Sequence, residues 1–194
     1  MLLPVYIYGH PALGQPSVDV TPADEGLDKL LEDMWETMYE ADGIGLAAPQ
    51  VGKNLRLFVI DATCLAKDSP ACAGFKRVFI NARIIERSTD QVVMNEGCLS
   101  IPGIHENVSR PASITIAYKD ENWVDRVEQL DGMPARAVLH EYDHVEGLTF
   151  IDRLTPLRRR FLKSKLAALS AGKFERNYRV VLPGNRGSRR RGKP

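Results

Sequence analysis

The chain has 194 residues, of which 44% are hydrophobic and 26% charged, enough for one substantial core and too few for two ordinary domains. Its 26 basic and 25 acidic residues leave a formal net charge of +1, and its three cysteines are too few for a disulfide-stapled scaffold. With no apolar run of eighteen residues to span a bilayer, the expectation is a soluble, cytoplasmic protein with no membrane or DNA partner.

In chain order, residues 1–10 lack a basic start, contain Pro4 and run into a polar Gly9-His10-Pro11 break. They read as neither a secretory signal nor an anchor. Thr21-Pro22-Ala23-Asp24 has the chemistry of a helix start: a Thr cap, Pro at the first helical position and an acid near the positive end of the dipole. Leu27, Leu30, Leu31, Met34, Trp35 and Met38 then recur at three-and-four spacing, predicting a long first helix that Gly43 ends. Residues 43–50 are non-helical. Residues 55–61 (LRLFVID) predict a buried strand, and short strands are predicted at 77–81, 84–87, 91–95, 113–118 and 123–129. Strands in succession without helices between them predict antiparallel pairing. Residues 64–74, polar and interrupted by Pro70, read as a surface loop.

A second helix is predicted over 134–146, between Gly132 and Gly147. Ala135, Val138, Leu139, Tyr142 and Val145 form its apolar face, and Ala137, His140, Glu141 and His144 the adjoining one. Thr155-Pro156 opens a third helix running to about Ala171, with Leu157, Phe161, Leu162, Leu166 and Leu169 facing inward and Arg158, Arg159, Arg160, Lys163 and Lys165 solvated. The last twelve residues carry five basic side chains and no acid, leaving 21 basic against 25 acidic residues over 1–182, a net charge of −4. The expected organisation is one catalytic domain over 1–182 and a basic, disordered tail over 183–194.

In HEYDH (140–144) two histidines stand one helical turn apart, where both imidazoles reach one ion, and Glu141 beside them is placed to take a proton from water. Two histidines brought together by chance are the alternative. A catalytic site needs a third protein ligand, and Cys98, after a predicted strand and next to Gly97, is the best one; its alternative is a small buried apolar residue. A thiolate and two neutral imidazoles leave a divalent site near +1. Residues 43–50 (GIGLAAPQ) combine small residues with a terminal amide, and lack a phosphate-loop spacing.

Together GIGLAAPQ, EGCLS (96–100) and HEYDH, in this order and at these separations, resemble the three signature motifs of peptide deformylases. The resemblance extends through the FIDRL segment (150–154) and fades at the tail. Val145 stands where the family commonly has leucine, and His105 where it often has arginine. The implied fold is α+β: antiparallel sheets packed around a central metal-binding helix, with an N-terminal and a C-terminal helix. The implied activity is removal of the formyl group from N-terminal formyl-methionine of nascent polypeptides, releasing formate. By resemblance Cys98, His140 and His144 are metal ligands, Glu141 is general base and then acid, and Gln50 and the Leu99 backbone N–H hold the oxyanion. Gly45, Gly97 and neighbouring backbone bind the substrate peptide as an added strand. Ile44, Met94, Met133 and Ala137 are candidates for the methionine pocket, and Asp143 with Arg110 for a pair that steadies the metal helix. The family uses iron(II) in the cell, with zinc, nickel or cobalt able to occupy the site. Basic residues in 186–193 add a candidate contact with the ribosome. Two competing readings are a structural metal module closed by His10, His105, Cys64 or Cys72, and a zinc peptidase, against which Cys98 speaks.

Overall fold

The computed structural model describes residues 1–184, so the basic cluster at 186–193 lies outside the described residues. Among the described residues, nine strands and three α-helices follow in the order β1 (Val5–Tyr6), α1 (Leu27–Glu40), β2 (Gly45–Ala47), β3 (Leu57–Asp61), β4 (Lys76–Arg87), β5 (Gln91–Glu96), β6 (Glu106–Pro111), β7 (Ser113–Lys119), β8 (Asp125–Asp131), α2 (Gly132–Val145), α3 (Pro156–Ser170) and β9 (Val180–Val181). The main sheet has the order β2-β3-β4-β7-β8, with every neighbouring pair antiparallel. β5 and β6 form a separate antiparallel ladder, and β1 pairs in parallel with β9. The α+β class expected from the sequence is the class observed.

β3 is buried on both faces, which is why LRLFVID reads as an almost unbroken apolar run. Alternation sends Phe58 and Ile60 to one side and Leu57 and Val59 to the other. On the first side Phe58 stacks on Phe79 with centroids 4.7 Å apart, Phe79 meets Tyr118, and Ala135, Val138, Leu139 and Tyr142 of α2 close the cluster. On the second, Leu31, Met34 and Met38 of α1 cover Leu46, Leu57 and Val59. Truncating Phe58 or Phe79 to Ala should cost about 3–5 kcal/mol. The sheet is thus clamped between two helices, and α2 is buried from Pro134 to Val145.

Several boundaries differ from the sequence reading. α1 begins at Leu27, because the Thr21 N–H and hydroxyl both donate to the Asp24 carboxylate, at 2.6 and 3.0 Å, and close a local turn instead of a helix. The left-handed residue after α1 is Asp42 (φ 58°), one position before Gly43. The predicted strands at 77–81 and 84–87 are one strand with two register shifts. Asn81 lies within the first shift at φ 53°, its side-chain amide bonded to both backbone groups of Val20. The strand predicted at 123–129 begins at Asp125, since Trp123 (φ 61°) lies in a turn closed by the Asp120 carboxylate.

The segment 64–74 is not simply a surface loop: Cys72 is fully buried against the α2 side of the sheet. On α3 the buried stripe is Leu162, Leu166 and Leu169, at spacings of four and three, packed on Ile101, Ile104, Phe150 and Ile151. Leu157 and Phe161, expected inward, lie off that stripe and are 64% and 67% exposed.

Candidate metal centre and active site

α2 sets His140 and His144 with ring centroids 5.3 Å apart at 76°. Cys98 enters from the turn after β5, where the Ile101 N–H donates to the Cys98 carbonyl at 2.9 Å. Its Sγ is 3.2 Å from Nε2 of His144, and the ligand atoms of Cys98, His140 and His144 all lie within 4.8 Å of one another. Among the described residues no fourth such side chain joins this group. Nδ1 of His10 accepts the Ala12 N–H, Cys64 is exposed and Cys72 is in the core. His105 borders the same cleft without entering the ligand cluster.

The imidazole of His140 is aimed by Glu96, whose Oε2 is 2.8 Å from Nδ1. That leaves Nε2 for a ligand, the usual arrangement of a metal-binding histidine. Glu96 also accepts Arg110 Nε at 2.6 Å, Arg110 Nη2 at 2.9 Å and Arg136 Nη1 at 2.8 Å. Arg110 continues to Asp143 at 2.7 Å, the pair expected from the sequence, and Arg153 closes on Asp143 from outside. Burial works against the charge of Glu96, but hydrogen bonds from His140 and Arg110 outweigh it and hold the carboxyl well below the ordinary range. Burial likewise opposes charge on His140, yet its hydrogen bonds with Cys98 and Glu96 raise it well above a normal histidine. Burial, then the charge of His140, push His144 well below.

Glu141 is buried, and that burial pushes its carboxyl up to about 7. Its Oε2 has no hydrogen-bond partner among the described residues. The side chain lies on the α-carbon of Gly45, and a β-carbon there would come within 2.9 Å of Cγ and Cδ of Glu141. Two further glycines serve the same close packing. Gly43 carries Leu99 and Gly97 carries the His105 ring, with built β-carbons 2.9 and 2.6 Å from those side chains. Gln50, 1% exposed, accepts the Ala47 N–H at 2.8 Å through Oε1 and turns Nε2 to Ser100 Oγ and Cys98 Sγ, at 3.2 and 3.4 Å. The Leu99 N–H has no acceptor among the described residues.

These groups border a cleft of about 390 Å³. Ile44, Gly45, Gly97, Leu99, Met133 and Ala137 are in its walls, with Cys98, His140 and Glu141. Met94, a candidate from the sequence, is not; it sits within the β5–β6 ladder opposite Val108. Gln50 and His144 lie behind the walls. The sequence reading missed Glu96 as the hub, Arg136 and Tyr178. Arg136 is one turn before His140 on α2, a spacing that does carry a signal. Tyr178, which borders the cleft from the far end of the chain, has none.

A family model described as polypeptide deformylase matches residues 2–160. A peptide deformylase of Christiangramia forsetii is 43% identical over 190 residues, 94% of this chain and 97% of that protein. One from Salinibacter ruber is 44% identical over 186 residues, 93% of this chain and 95% of that protein. Among solved structures, peptide deformylase of Plasmodium falciparum superposes with a TM-score of 0.78 at 36% identity, covering 87% of this chain and 95% of that one. A Synechococcus elongatus peptide deformylase in complex with actinonin gives 0.75 at 38% identity, covering 92% of each.

Proposed function

This chain belongs to the peptide deformylase family, and from that premise we propose that Cys98, His140 and His144 hold its metal ion while Glu141 moves the protons of the reaction. The enzyme is a metal-dependent hydrolase that removes the formyl group from the N-terminal formyl-methionine of newly made proteins and releases formate. The observation that carries the assignment is the cluster of three ligand atoms within 4.8 Å, beside a buried carboxylate. A thiolate and two imidazoles suit a divalent ion, and Glu96 holds the non-ligating nitrogen of His140. When bound, the ion supplies Lewis-acid polarisation of water and of the formyl oxygen.

The chain's own residues do the rest. Glu141, buried beside the ligand cluster, accepts the proton of the attacking water and passes it to the departing amine. Gln50 Nε2 and the Leu99 N–H donate to the oxygen that gains charge; removing one such donor typically raises the barrier by about 3 kcal/mol. An extended peptide pairs with the backbone of Gly45 and Gly97, a mode indifferent to side chains beyond the first residue. Ile44, Met133 and Ala137 form the apolar wall for methionine, and we set Met94 aside as a supporting position in β5. Iron(II) is the proposed resident ion, with zinc, nickel or cobalt able to replace it. Residues 1–182 act as the catalytic unit in the cytoplasm, and the basic residues of 186–193 contact the ribosome; among the described residues no helix is long and apolar enough to cross a membrane.

Anaerobic purification, metal analysis and formate release from formyl-Met-Ala-Ser test this reading. Glu141→Gln should retain one metal per chain and lose turnover by at least about a hundredfold. Full turnover in that variant, or metal retained without Cys98, would overturn the assignment. Co-sedimentation with ribosomes, full chain against a chain ending at Leu182, tests the tail; equal binding at low salt excludes it.

A further inference from the structure

Tyr178 belongs to none of the three motifs and lies past residue 160, where the family match ends. Its hydroxyl donates to the Leu99 carbonyl at 2.7 Å, and its side chain borders the catalytic cleft. The segment around it is anchored by the β1–β9 ribbon: the Val5 N–H donates to the Arg179 carbonyl at 2.8 Å and the Ile7 N–H to the Val181 carbonyl at 3.0 Å. Just past β1, the Tyr8 N–H donates to the Ser100 carbonyl at 2.9 Å. Two consecutive carbonyls of the turn that carries Cys98 are therefore held by one ribbon. The Leu99 N–H, like those of Cys98 and Ser100 on either side, has no acceptor among the described residues.

We infer that Tyr178 is a positioning residue for deformylation, fixing the peptide plane after Leu99 so that the Leu99 N–H keeps its aim at the oxygen that gains charge. This rests on the reading of that N–H as an oxyanion donor. The plane before Leu99 is held by the Ile101 N–H on the Cys98 carbonyl, and the plane after it by Tyr178. With both planes fixed, the donor is preorganised and has no reorientation to undergo as charge develops. The contact acts on the transition state, not on metal binding, so its loss should fall on kcat and leave KM and metal content alone.

The test is Tyr178→Phe in the full, metal-loaded chain, which keeps the ring against the cleft and removes only the hydroxyl. The expected result is a fall in kcat of about tenfold, a fraction of the 10²–10³ lost when an oxyanion donor is removed outright, with KM and metal content unchanged. Ser170→Ala is the control: its hydroxyl donates to the Tyr8 carbonyl at 2.9 Å, so it loosens the same ribbon without touching Leu99. It should leave kcat unchanged. An unaltered kcat in Tyr178→Phe, a change in KM alone, or an equal loss in Ser170→Ala each overturns the inference. Glu141→Gln separates the two levels: if it abolishes turnover while Tyr178→Phe does nothing, only the role of Tyr178 falls; if it turns over normally, the reading of the whole site falls.

Discussion

Glu141 rests directly on the α-carbon of Gly45, with no room for a methyl group between them. The glycine of GIGLAAPQ and the acid of HEYDH are thus one structural unit, joined across 96 positions of sequence. Gly45→Ala should push the carboxylate off its position, and displacements near 1 Å cost about a hundredfold in rate. The expected outcome is that loss in kcat/KM with full metal content. Wild-type kinetics in the alanine variant would show that Glu141 has somewhere else to go.

Arg136 ties three segments together: it donates to Glu96, to the Val108 carbonyl at 2.9 Å and to the Val92 carbonyl at 2.6 Å. The β5–β6 ladder is thereby fastened to the helix that carries both histidines. Arg136→Met should leave Glu96 under-compensated and His140 less firmly aimed, with metal dissociating about 10–100-fold faster. Transfer of the metal to a chelating dye measures this directly; an unchanged transfer rate excludes the role.

Asp61 supplies a pH-dependent prediction away from the metal. Burial opposes its charge, but the Thr63 hydroxyl, the Tyr39 hydroxyl at 2.6 Å and the Thr63 N–H hold its carboxyl below the ordinary value. A depressed folded-state pKa stabilises the fold above the unfolded pKa of about 3.9 and is lost as pH falls through the folded value. Asp61→Asn should therefore be less stable than the unsubstituted chain at pH 7, by about 1 kcal/mol. The two should converge as pH falls through the lowered folded-state value. A gap that stays constant from pH 7 to pH 3 would assign the loss to packing instead.

Metal removal should destabilise as well as inactivate. An ion at a thousandfold its dissociation constant contributes about 4 kcal/mol to stability, and a domain of this size loses roughly 2–4 °C in Tm per kcal/mol. Chelation should lower Tm by about 10 °C, reversibly on adding metal. No shift on chelation would mean that the three ligands do not hold an ion.

The helix with its two histidines was legible because helical spacing alone puts residues 140 and 144 on one face. β3 was legible from its apolar run. Glu96 was not legible as a hub, because its partners Arg110, Arg136 and His140 come from β6 and two turns of α2, and only the fold brings them to one carboxylate. The start of α1 misled for a local reason: Thr21 and Asp24 satisfy each other in a turn whose residues match a helix cap. Leu157 and Phe161 misled because an apolar residue near a helical stripe is not thereby part of it.

The ribbon of β1 and β9 joins Val5 to Val180, and the same stretch places Tyr178 on Leu99, 79 positions away. During synthesis the chain emerges from its N-terminal end. The ligand cysteine and both histidines leave the ribosome well before residues 178–181 do. An enzyme that trims the beginnings of other new proteins therefore closes the border of its own cleft only after both histidines have been made.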